Sequence, residues 1–205
     1  TESLHRKYLE ERDKRLRADG EAQYIDATGE FADFAADPYI KEPLERDPID
    51  EEMDVAVIGG GFGGMLTGAK LLQAGVSSFR IFDMAADFGG TWYWNRYPGA
   101  RCDVPSMEYS YQFDAQLQQD WNWSERYAPQ PEILHYVNHV ADRFDLRKDI
   151  RFSAQVTAAV WDDAANIWRV TTEEGADYTA RYLIAATGGL SSPNRPLFPG
   201  LDGFQ

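Results

Sequence analysis

Hydrophobic positions are unevenly spread along the chain, and their pattern changes near residue 53. Within residues 1–20 the apolar residues are sparse and stand among charged ones: Leu4, Tyr8, Leu9 and Leu16. This spacing predicts a helix with one thin contact stripe and a solvated opposite face. From Asp26 to Asp54 the chain has 11 acidic and two basic residues, with three evenly spaced prolines. This composition predicts a linker or strap, so we expect residues 1–50 to form an N-terminal helical and acidic extension.

A second pattern begins at Met53, where an apolar run up to Ile58 has the character of a buried strand. A glycine-rich turn follows, then a helical stretch from Met65 to Ala74, and then a second apolar run, Phe79–Phe82. Strand, turn, helix and strand form a βαβ unit, which requires two parallel strands.

The rest of the chain predicts one long helix and several strands. Apolar residues at helical spacing indicate a helix over Glu132–Phe144. Three short strand-like runs predict an antiparallel insertion: Arg151–Val156, Thr157–Trp161 and Trp168–Thr172. Tyr182–Ala186 is expected to return to the parallel sheet, and the chain beyond Gly189 to be a loop. The predicted fold class is α/β: a three-layer Rossmann-like domain over residues 51–205, with a parallel sheet and a small antiparallel β insertion.

Composition limits the classes of partner. The chain carries 34 acidic and 20 basic residues, a formal net charge of −14, and this excess opposes binding to nucleic acid or anionic membranes. No apolar run approaches the ~20 residues needed to cross a bilayer, and the charged N-terminus lacks the apolar core of a signal peptide. The single cysteine, Cys102, cannot form an intrachain disulfide, which is typical of a reducing compartment. We therefore expect a cytoplasmic protein without a membrane partner.

The turn after the first predicted strand fits the dinucleotide-binding spacing GxGxxG at Gly59, Gly61 and Gly64. The first glycine permits a tight turn, the second lets a pyrophosphate approach the backbone, and the third lets the helix pack close to the strand. Asp83 follows the next strand, 24 residues after Gly59, close to the spacing expected for a carboxylate that binds a ribose. A carboxylate suits a free 2′-hydroxyl, so this turn predicts FAD or NAD rather than NADP.

Residues Gly89 to Asp103 form the most specific motif in the chain. The segment begins six residues after Asp83 and offers large flat rings next to Arg101 and Asp103. We expect an aromatic cage with two buried charges beside the reactive end of a bound ligand. One alternative is that Asp103 is a buried acid that pairs with Arg101 for structural reasons alone.

This segment closely resembles the N-terminal flavin motif of the Baeyer–Villiger monooxygenases, flavoproteins that insert oxygen beside a ketone carbonyl. Every fixed position of the family pattern GGxWxxxxYPGxxxD is present. The chain departs from many family members at Asp83 and Pro105, where they carry glutamate. The family's longer fingerprint, FxGxxxHxxxWP, would begin at Phe204. The resemblance therefore implies the first part of an FAD-binding domain, inactive alone, with the NADPH domain downstream.

The resemblance also assigns expected roles to individual residues. The FAD pyrophosphate would lie on Gly59, Gly61, Phe62 and Gly64, and the adenosine ribose on Asp83. The flavin side would be lined by Thr91, Trp92, Tyr93, Trp94, Asp103 and Tyr109. The backbone of Val156 would meet the adenine end. The nicotinamide of NADP would be bordered by Arg101, Cys102 and Asp103.

In the family scheme NADPH reduces FAD, O₂ adds to give a C4a-peroxyflavin, and the peroxide attacks the ketone to yield an ester or lactone. Asp103 is the expected catalytic residue, because it would orient a downstream arginine that stabilises the developing negative charge. Two alternatives are a flavin-dependent N- or S-oxygenating monooxygenase and a non-catalytic flavin-binding module. The remaining partners implied are the ketone, O₂ and the rest of the polypeptide.

Two further groups of residues are assigned no chemistry. His135 and His139 have a spacing compatible with a metal, but no third ligand is apparent, so we expect two solvent-facing histidines and no metal site. Cys102 lies beside a carboxylate, whose charge opposes formation of a nucleophilic thiolate, and we expect a small packing residue rather than a nucleophile.

Overall fold

The computed structural model describes residues 2–16, 18, 20, 24–26, 37–40, 46–190, 194–196, 200 and 203. They fall into two compact units: Thr1–Ala36 together with Ser192–Gln205, and Asp37–Ser191. The helices are α1 (Glu2–Asp13), α2 (Phe62–Gln73), α3 (Thr91–Trp94), α4 (Ala115–Asp120) and α5 (Gln130–Arg143). The strands are β1 (Tyr24–Asp26), β2 (Glu51–Ile58), β3 (Phe79–Phe82), β4 (Ile150–Arg151), β5 (Val156–Asp162), β6 (Ile167–Thr172), β7 (Asp177–Ala185) and β8 (Asn194–Pro196).

The smaller unit contains α1 and a two-stranded antiparallel sheet formed by β1 and β8. Helix α1 has no buried residue: Leu4 and Tyr8 are 70% and 65% exposed, and Leu9 is half-buried. The expected loop after Gly189 is wrong at β8, because this strand forms only by pairing with a segment about 170 residues earlier (Tyr24↔Pro196).

The larger unit is built on a six-stranded sheet with the order β4-β3-β2-β7-β6-β5. Strands β4, β3, β2 and β7 are parallel, whereas β7, β6 and β5 are antiparallel. Strand β7 belongs to both parts, since it pairs with β2 on one side and with β6 on the other. The α/β class, with a parallel sheet and an antiparallel addition, is confirmed.

Two hydrophobic clusters hold the layers of this unit together. Helices α2 and α5 cover one face of the parallel strands through a cluster that includes Val57, Met65, Ile81 and Val137. On the other face, the Phe82 ring meets the Tyr178 ring with centroids 4.6 Å apart. In the strand register Phe82 pairs with Ile58, while Tyr178 pairs with Glu51 at the opposite end of β2. The antiparallel part therefore folds back over the parallel strands and forms the third layer.

Several element boundaries differ from the expected ones. Helix α2 begins at Phe62 rather than at Met65, because the glycines after Gly61 are already helical. The predicted strand Arg151–Val156 is interrupted after β4, where Ser153 has a φ of 49° and its amide donates to the Ala85 carbonyl. Helix α4 was not predicted. It is stabilised by the Asp114 side chain, which accepts a hydrogen bond from the Leu117 amide at 2.7 Å.

Among the described residues, no helix has the length and apolar character needed to cross a membrane.

Replacing Phe82 with alanine tests the packing between the layers. Phe82 is fully buried against Tyr178, so the cavity left by Phe82→Ala should lower the free energy of unfolding by about 3–5 kcal/mol. The matched control is Val160→Ala on β5, whose side chain is 59% exposed and should change stability by less than about 1 kcal/mol. Denaturant unfolding followed by tryptophan fluorescence measures the free energy of unfolding of both variants. Equal losses of stability would contradict the packing of the third layer against Phe82.

Candidate functional site

The turn between β2 and α2 brings backbone segments unusually close together. Gly59 has a φ of 110°, and a side chain there would overlap the Ala186 carbonyl. A side chain at Gly64 would overlap the Gly59 carbonyl, so only glycine lets α2 start this near the end of β2. At Gly90 a Cβ would lie 2.9 Å from the Gly61 Cα, which means that the Gly89-Gly90 backbone also packs on the turn.

The start of α2 is open to a ligand. Gly61 is the N-terminal cap residue and contributes no side-chain hydrogen bond, so no side chain in the cap satisfies the first N–H groups of this 12-residue helix. Such amides, together with the positive end of the helix dipole, attract phosphate groups. The missing Cβ atoms at Gly59 and Gly61 leave the backbone accessible, and this part of the site fits a pyrophosphate.

Asp83 stands directly after β3 and is only 9% exposed. One carboxylate oxygen accepts a hydrogen bond from the Gly60 amide of the turn, and the other accepts one from the Ala85 amide at 2.7 Å. Burial raises the pKa of this carboxyl above its ordinary value, and the two amide hydrogen bonds offset part of the rise. Each oxygen retains a further lone pair, so the carboxylate can still accept from ribose hydroxyls.

Four of the predicted site residues form one aromatic and apolar cluster. Phe62 and Trp92 each make an edge-on contact with Tyr109, at 5.5 and 5.4 Å between ring centroids. Trp92 and Cys102 are buried in the same cluster, and the Gln130 side chain donates a hydrogen bond to the Trp92 carbonyl. Burial raises the pKa of the Tyr109 hydroxyl, and the nearby Cys102 and Asp103 raise this pKa further. The cluster forms a water-poor wall next to the glycine turn.

The other aromatic residues of α3 have separate environments. Tyr93 is buried, and its hydroxyl donates a 2.6 Å hydrogen bond to Asp37, while its ring contacts the Trp94 ring edge-on. Thr91 and Trp94 are half-buried, and the Trp94 carbonyl accepts a hydrogen bond from the Tyr39 hydroxyl. The α3 residues therefore do not all line a single surface.

The expectation of two buried charges is wrong. Arg101 and Asp103 are both exposed, and Arg101 donates to the Glu125 carboxylate and to the Tyr127 carbonyl, each at 3.1 Å. The alternative pairing of Arg101 with a buried Asp103 is wrong for the same reason. Cys102, between them, is buried with its sulfur 3.8 Å from the Ser106 hydroxyl, as expected for a packing residue.

The β4–β5 connection brings Val156 toward the Asp83 end of the sheet. The Ala154 amide donates to the Asp83 carbonyl at 2.9 Å, and Val156 begins β5 two residues later. Val156 is half-buried and packs on the second hydrophobic cluster. The adenine end of a dinucleotide, which follows the ribose, would lie in this region.

No group of His, Cys, Asp and Glu side chains within the described part of the chain could hold a metal ion. His135 is exposed as expected, but His139 is half-buried, with its ring 5.5 Å from the Trp121 ring. The expected solvent exposure of His139 is therefore wrong, whereas His135 stays exposed although its ring also contacts the Trp121 ring, at 5.2 Å.

Comparison with known proteins agrees with this geometry. Residues 56–204 match the family model described as pyridine nucleotide-disulphide oxidoreductase. The chain belongs to this family. The matched region begins in β2 and includes the glycine turn, Asp83 and the aromatic segment.

Individual relatives give a more specific similarity than the family model does. The chain is 43% identical to a Baeyer–Villiger monooxygenase of Streptomyces coelicolor, over 98% of this chain and 33% of that protein. Its fold is similar to that of a cyclohexanone monooxygenase from Rhodococcus sp. Phi1 bound to NADP⁺, with a TM-score of 0.71 and 46% identity over 77% of this chain and 30% of that one. A polycyclic ketone monooxygenase from Thermothelomyces thermophila has a TM-score of 0.80 and 32% identity, over 98% and 34% of the two chains.

The predicted resemblance to Baeyer–Villiger monooxygenases is thus confirmed, while the chain spans about a third of the length of the curated relatives that it matches.

Three residues that contact the site were not assigned to it from the sequence. Asp37 accepts from Tyr93, Gln130 donates to Trp92, and the Tyr111 hydroxyl donates a 2.5 Å hydrogen bond to the Phe62 carbonyl. Their partners are 56, 38 and 49 residues away in the chain, so no local spacing pattern points to them. The one available signal was for Tyr111, which lies in the run Tyr109-Ser110-Tyr111 that is part of the family resemblance, although no role was assigned to it.

Substitution of Gly64 tests the turn. Gly64→Ala should lower the free energy of unfolding by about 3 kcal/mol or more, because the new Cβ would overlap the Gly59 carbonyl. In the control Gly63→Ala the new Cβ meets only the Ala186 Cβ at 3.5 Å, so stability should stay within about 1 kcal/mol of the parent. Thermal unfolding of the two variants provides the comparison. A stable Gly64→Ala protein would contradict the close approach of strand and helix.

Proposed function

We propose that residues 51–205 are the first part of the FAD-binding domain of an NADPH-dependent Baeyer–Villiger monooxygenase, with residues 1–50 as an N-terminal extension. In this proposal the rest of the polypeptide supplies the NADPH domain. The overall reaction consumes a ketone, O₂, NADPH and a proton, and it produces an ester or lactone, NADP⁺ and water. Similar proteins are named as a Baeyer–Villiger monooxygenase and a cyclohexanone monooxygenase bound to NADP⁺, which supports this reaction.

The observation that carries the proposal is the buried Asp83 carboxylate, which is hydrogen-bonded to the Gly60 amide and lies at the same sheet edge as the open start of α2. Pyrophosphate would bind Gly59, Gly61, Phe62 and Gly64 through backbone amides, and the adenosine ribose would donate to Asp83. Val156 would contact the adenine end through its backbone. These groups suit the adenosine diphosphate half of FAD.

The aromatic cluster suits the flavin half. Phe62, Trp92 and Tyr109 pack edge to face, and such a wall keeps water away from a reacting ring system. In the proposal Thr91, Tyr93 and Trp94 complete the flavin side. Bound FAD, once reduced by NADPH, supplies the electrons that activate O₂.

Arg101 and Asp103, which are both exposed, would contact the nicotinamide cofactor and parts of the protein outside the described residues. Both side chains face solvent, Asp103 lies near Tyr109, and the Arg101 side chain keeps 48% of its surface accessible despite the Glu125 contact. Arg101, Cys102 and Asp103 would border the nicotinamide of NADP. Asp103 would hold a downstream arginine in the orientation that stabilises negative charge on the reacting oxygen.

We also propose a cytoplasmic location. It is supported by Cys102, which is a free buried thiol, as is usual in reducing compartments. Cell fractionation of the expressing organism tests this location.

The activity is tested with protein from the complete gene, cyclohexanone or a polycyclic ketone, and NADPH. We expect a bound flavin, ketone-dependent NADPH oxidation, and an ester or lactone detected by mass spectrometry. Oxidation of amines or thioethers without any ester would favour the N- or S-oxygenating alternative. Bound flavin without any NADPH oxidation would favour the non-catalytic module.

Asp103→Asn should retain FAD but form ester at least roughly tenfold more slowly, because the oriented negative charge is lost. The control Asp163→Asn removes an exposed carboxylate in the turn between β5 and β6 and should leave both measurements unchanged. The measurements are flavin absorbance per protein and the rate of ester formation. Normal turnover by Asp103→Asn would refute the role assigned to Asp103.

A further inference from the structure

A short segment of the N-terminal strap, Asp37–Ile40, lies against α3. The Tyr93 hydroxyl donates a 2.6 Å hydrogen bond to Asp37 Oδ2, and the Tyr39 hydroxyl donates a 2.9 Å hydrogen bond to the Trp94 carbonyl. Each contact joins residues more than 50 positions apart in the chain. The segment is therefore attached to the helix whose aromatic side chains would line the flavin.

Asp37 also contacts the loop that follows Asp83. The Ala86 amide donates to the same Asp37 oxygen at 3.3 Å, three residues after Asp83. The other oxygen of Asp37 accepts from the Tyr39 amide at 2.9 Å, which holds the carboxylate in its orientation. One carboxylate thus joins the adenosine side of the site to the flavin side.

Arg96, two residues after the end of α3, adds a further contact with the segment. Its guanidinium lies 3.8 Å above the Tyr39 ring and 4.7 Å from the centroid of the Tyr93 ring, which the Tyr39 ring meets edge-on at 5.5 Å. Its Nε donates a 2.8 Å hydrogen bond to the Tyr93 carbonyl. Cation–π attraction therefore adds to the hydrogen bonds that hold Tyr39 on α3.

Burial and the contact with Asp37 both favour the protonated, hydrogen-bond-donating form of Tyr93. Burial, followed by the hydrogen bond to Asp37, raises the pKa of the Tyr93 hydroxyl above its ordinary value, so the group stays protonated at neutral pH. The Asp37 charge also adds to the rise in the pKa of Asp83. The Asp37 carboxylate is thus close enough to Asp83 to act on its protonation.

We propose that Asp37 and Tyr39 are positioning residues of the cofactor site. They fix α3 relative to the loop after Asp83, and with it the distance between the ribose-binding carboxylate and the aromatic wall. They act through Tyr93, Trp94 and Ala86 and need no contact with the cofactor. The inference rests on the proposed function, because it takes FAD as the ligand.

The test uses protein from the complete gene, stripped of flavin and titrated with FAD. We expect Asp37→Asn and Tyr93→Phe each to weaken FAD binding about five- to tenfold, because the first removes the charge that strengthens the hydrogen bond between segment and helix and the second removes its donor. Their combination should weaken binding by less than the product of the two, since both remove the same contact. Quenching of FAD fluorescence gives the dissociation constants.

A second measurement separates positioning from general stability. Visible circular dichroism of the bound flavin reports the environment of its ring, and we expect its band shape to change in Asp37→Asn and in Tyr39→Phe. Tyr39→Phe keeps the ring below Arg96 and loses only the bond to the Trp94 carbonyl. This mild change keeps the proposal testable if Asp37→Asn does not fold.

The control is Asp50→Ala, a change in the same strap at the other end of β2. Asp50 is exposed and accepts a 3.3 Å hydrogen bond from the Asp177 amide, next to Tyr178, which pairs with Glu51 at the end of β2 away from the glycine turn. We expect this variant to keep the dissociation constant and the flavin spectrum of the parent. Equal FAD weakening in Asp50→Ala, or unchanged binding and spectra in Asp37→Asn and Tyr39→Phe, would overturn the positioning role. A parent protein that binds no FAD would instead refute the proposed function.

Discussion

The close approach of backbone segments at the carboxyl end of β2 is the constraint on which the larger unit depends. Gly59, Gly64 and Gly90 each stand where a Cβ would collide with a neighbouring backbone atom. Because these contacts are between backbones, α2 begins within van der Waals distance of the strand end, and the start of the aromatic segment packs on the turn. The open amides of α2, the buried Asp83 and α3 are thereby gathered at one sheet edge, where open α/β sheets bind their ligands.

Burial of Asp83 is the electrostatic consequence of that packing. Desolvation disfavours the charged carboxylate, and two backbone amides compensate by donating to it. One of these amides belongs to the glycine turn, so the same hydrogen bond stabilises the acid and orients the turn. Asp37 adds a second carboxylate nearby, with its own donors from Tyr93 and Ala86. The site thus holds its negative charges through hydrogen bonds, without a guanidinium paired to either carboxylate among the described residues.

The aromatic segment divides into a closed part and an open part. Trp92 and Cys102 are buried with Ala128 and Ile133, while Arg101 and Asp103 face solvent beside them. The buried part depends on α5, whose Gln130 donates to the Trp92 carbonyl. Asp103 is solvated, and the Arg101 side chain stays 48% exposed although it pairs with Glu125, so both remain accessible to a ligand or to another part of a longer protein.

Local spacing determined the βαβ unit, the glycine turn, the carboxylate at Asp83 and the helix that became α5, because each depends on residues close together in the chain. The sequence alone did not determine which charged and aromatic residues would be buried. Arg101 and Asp103 were expected inside and are exposed, and His139 was expected outside and packs on Trp121. The pairing of β1 with β8 and the contacts of Asp37 with Tyr93 were also decided only by the tertiary structure. The reason is physical: burial and long-range hydrogen bonds depend on which segments meet in space. The pattern of residues within one segment does not identify the segment that it packs against.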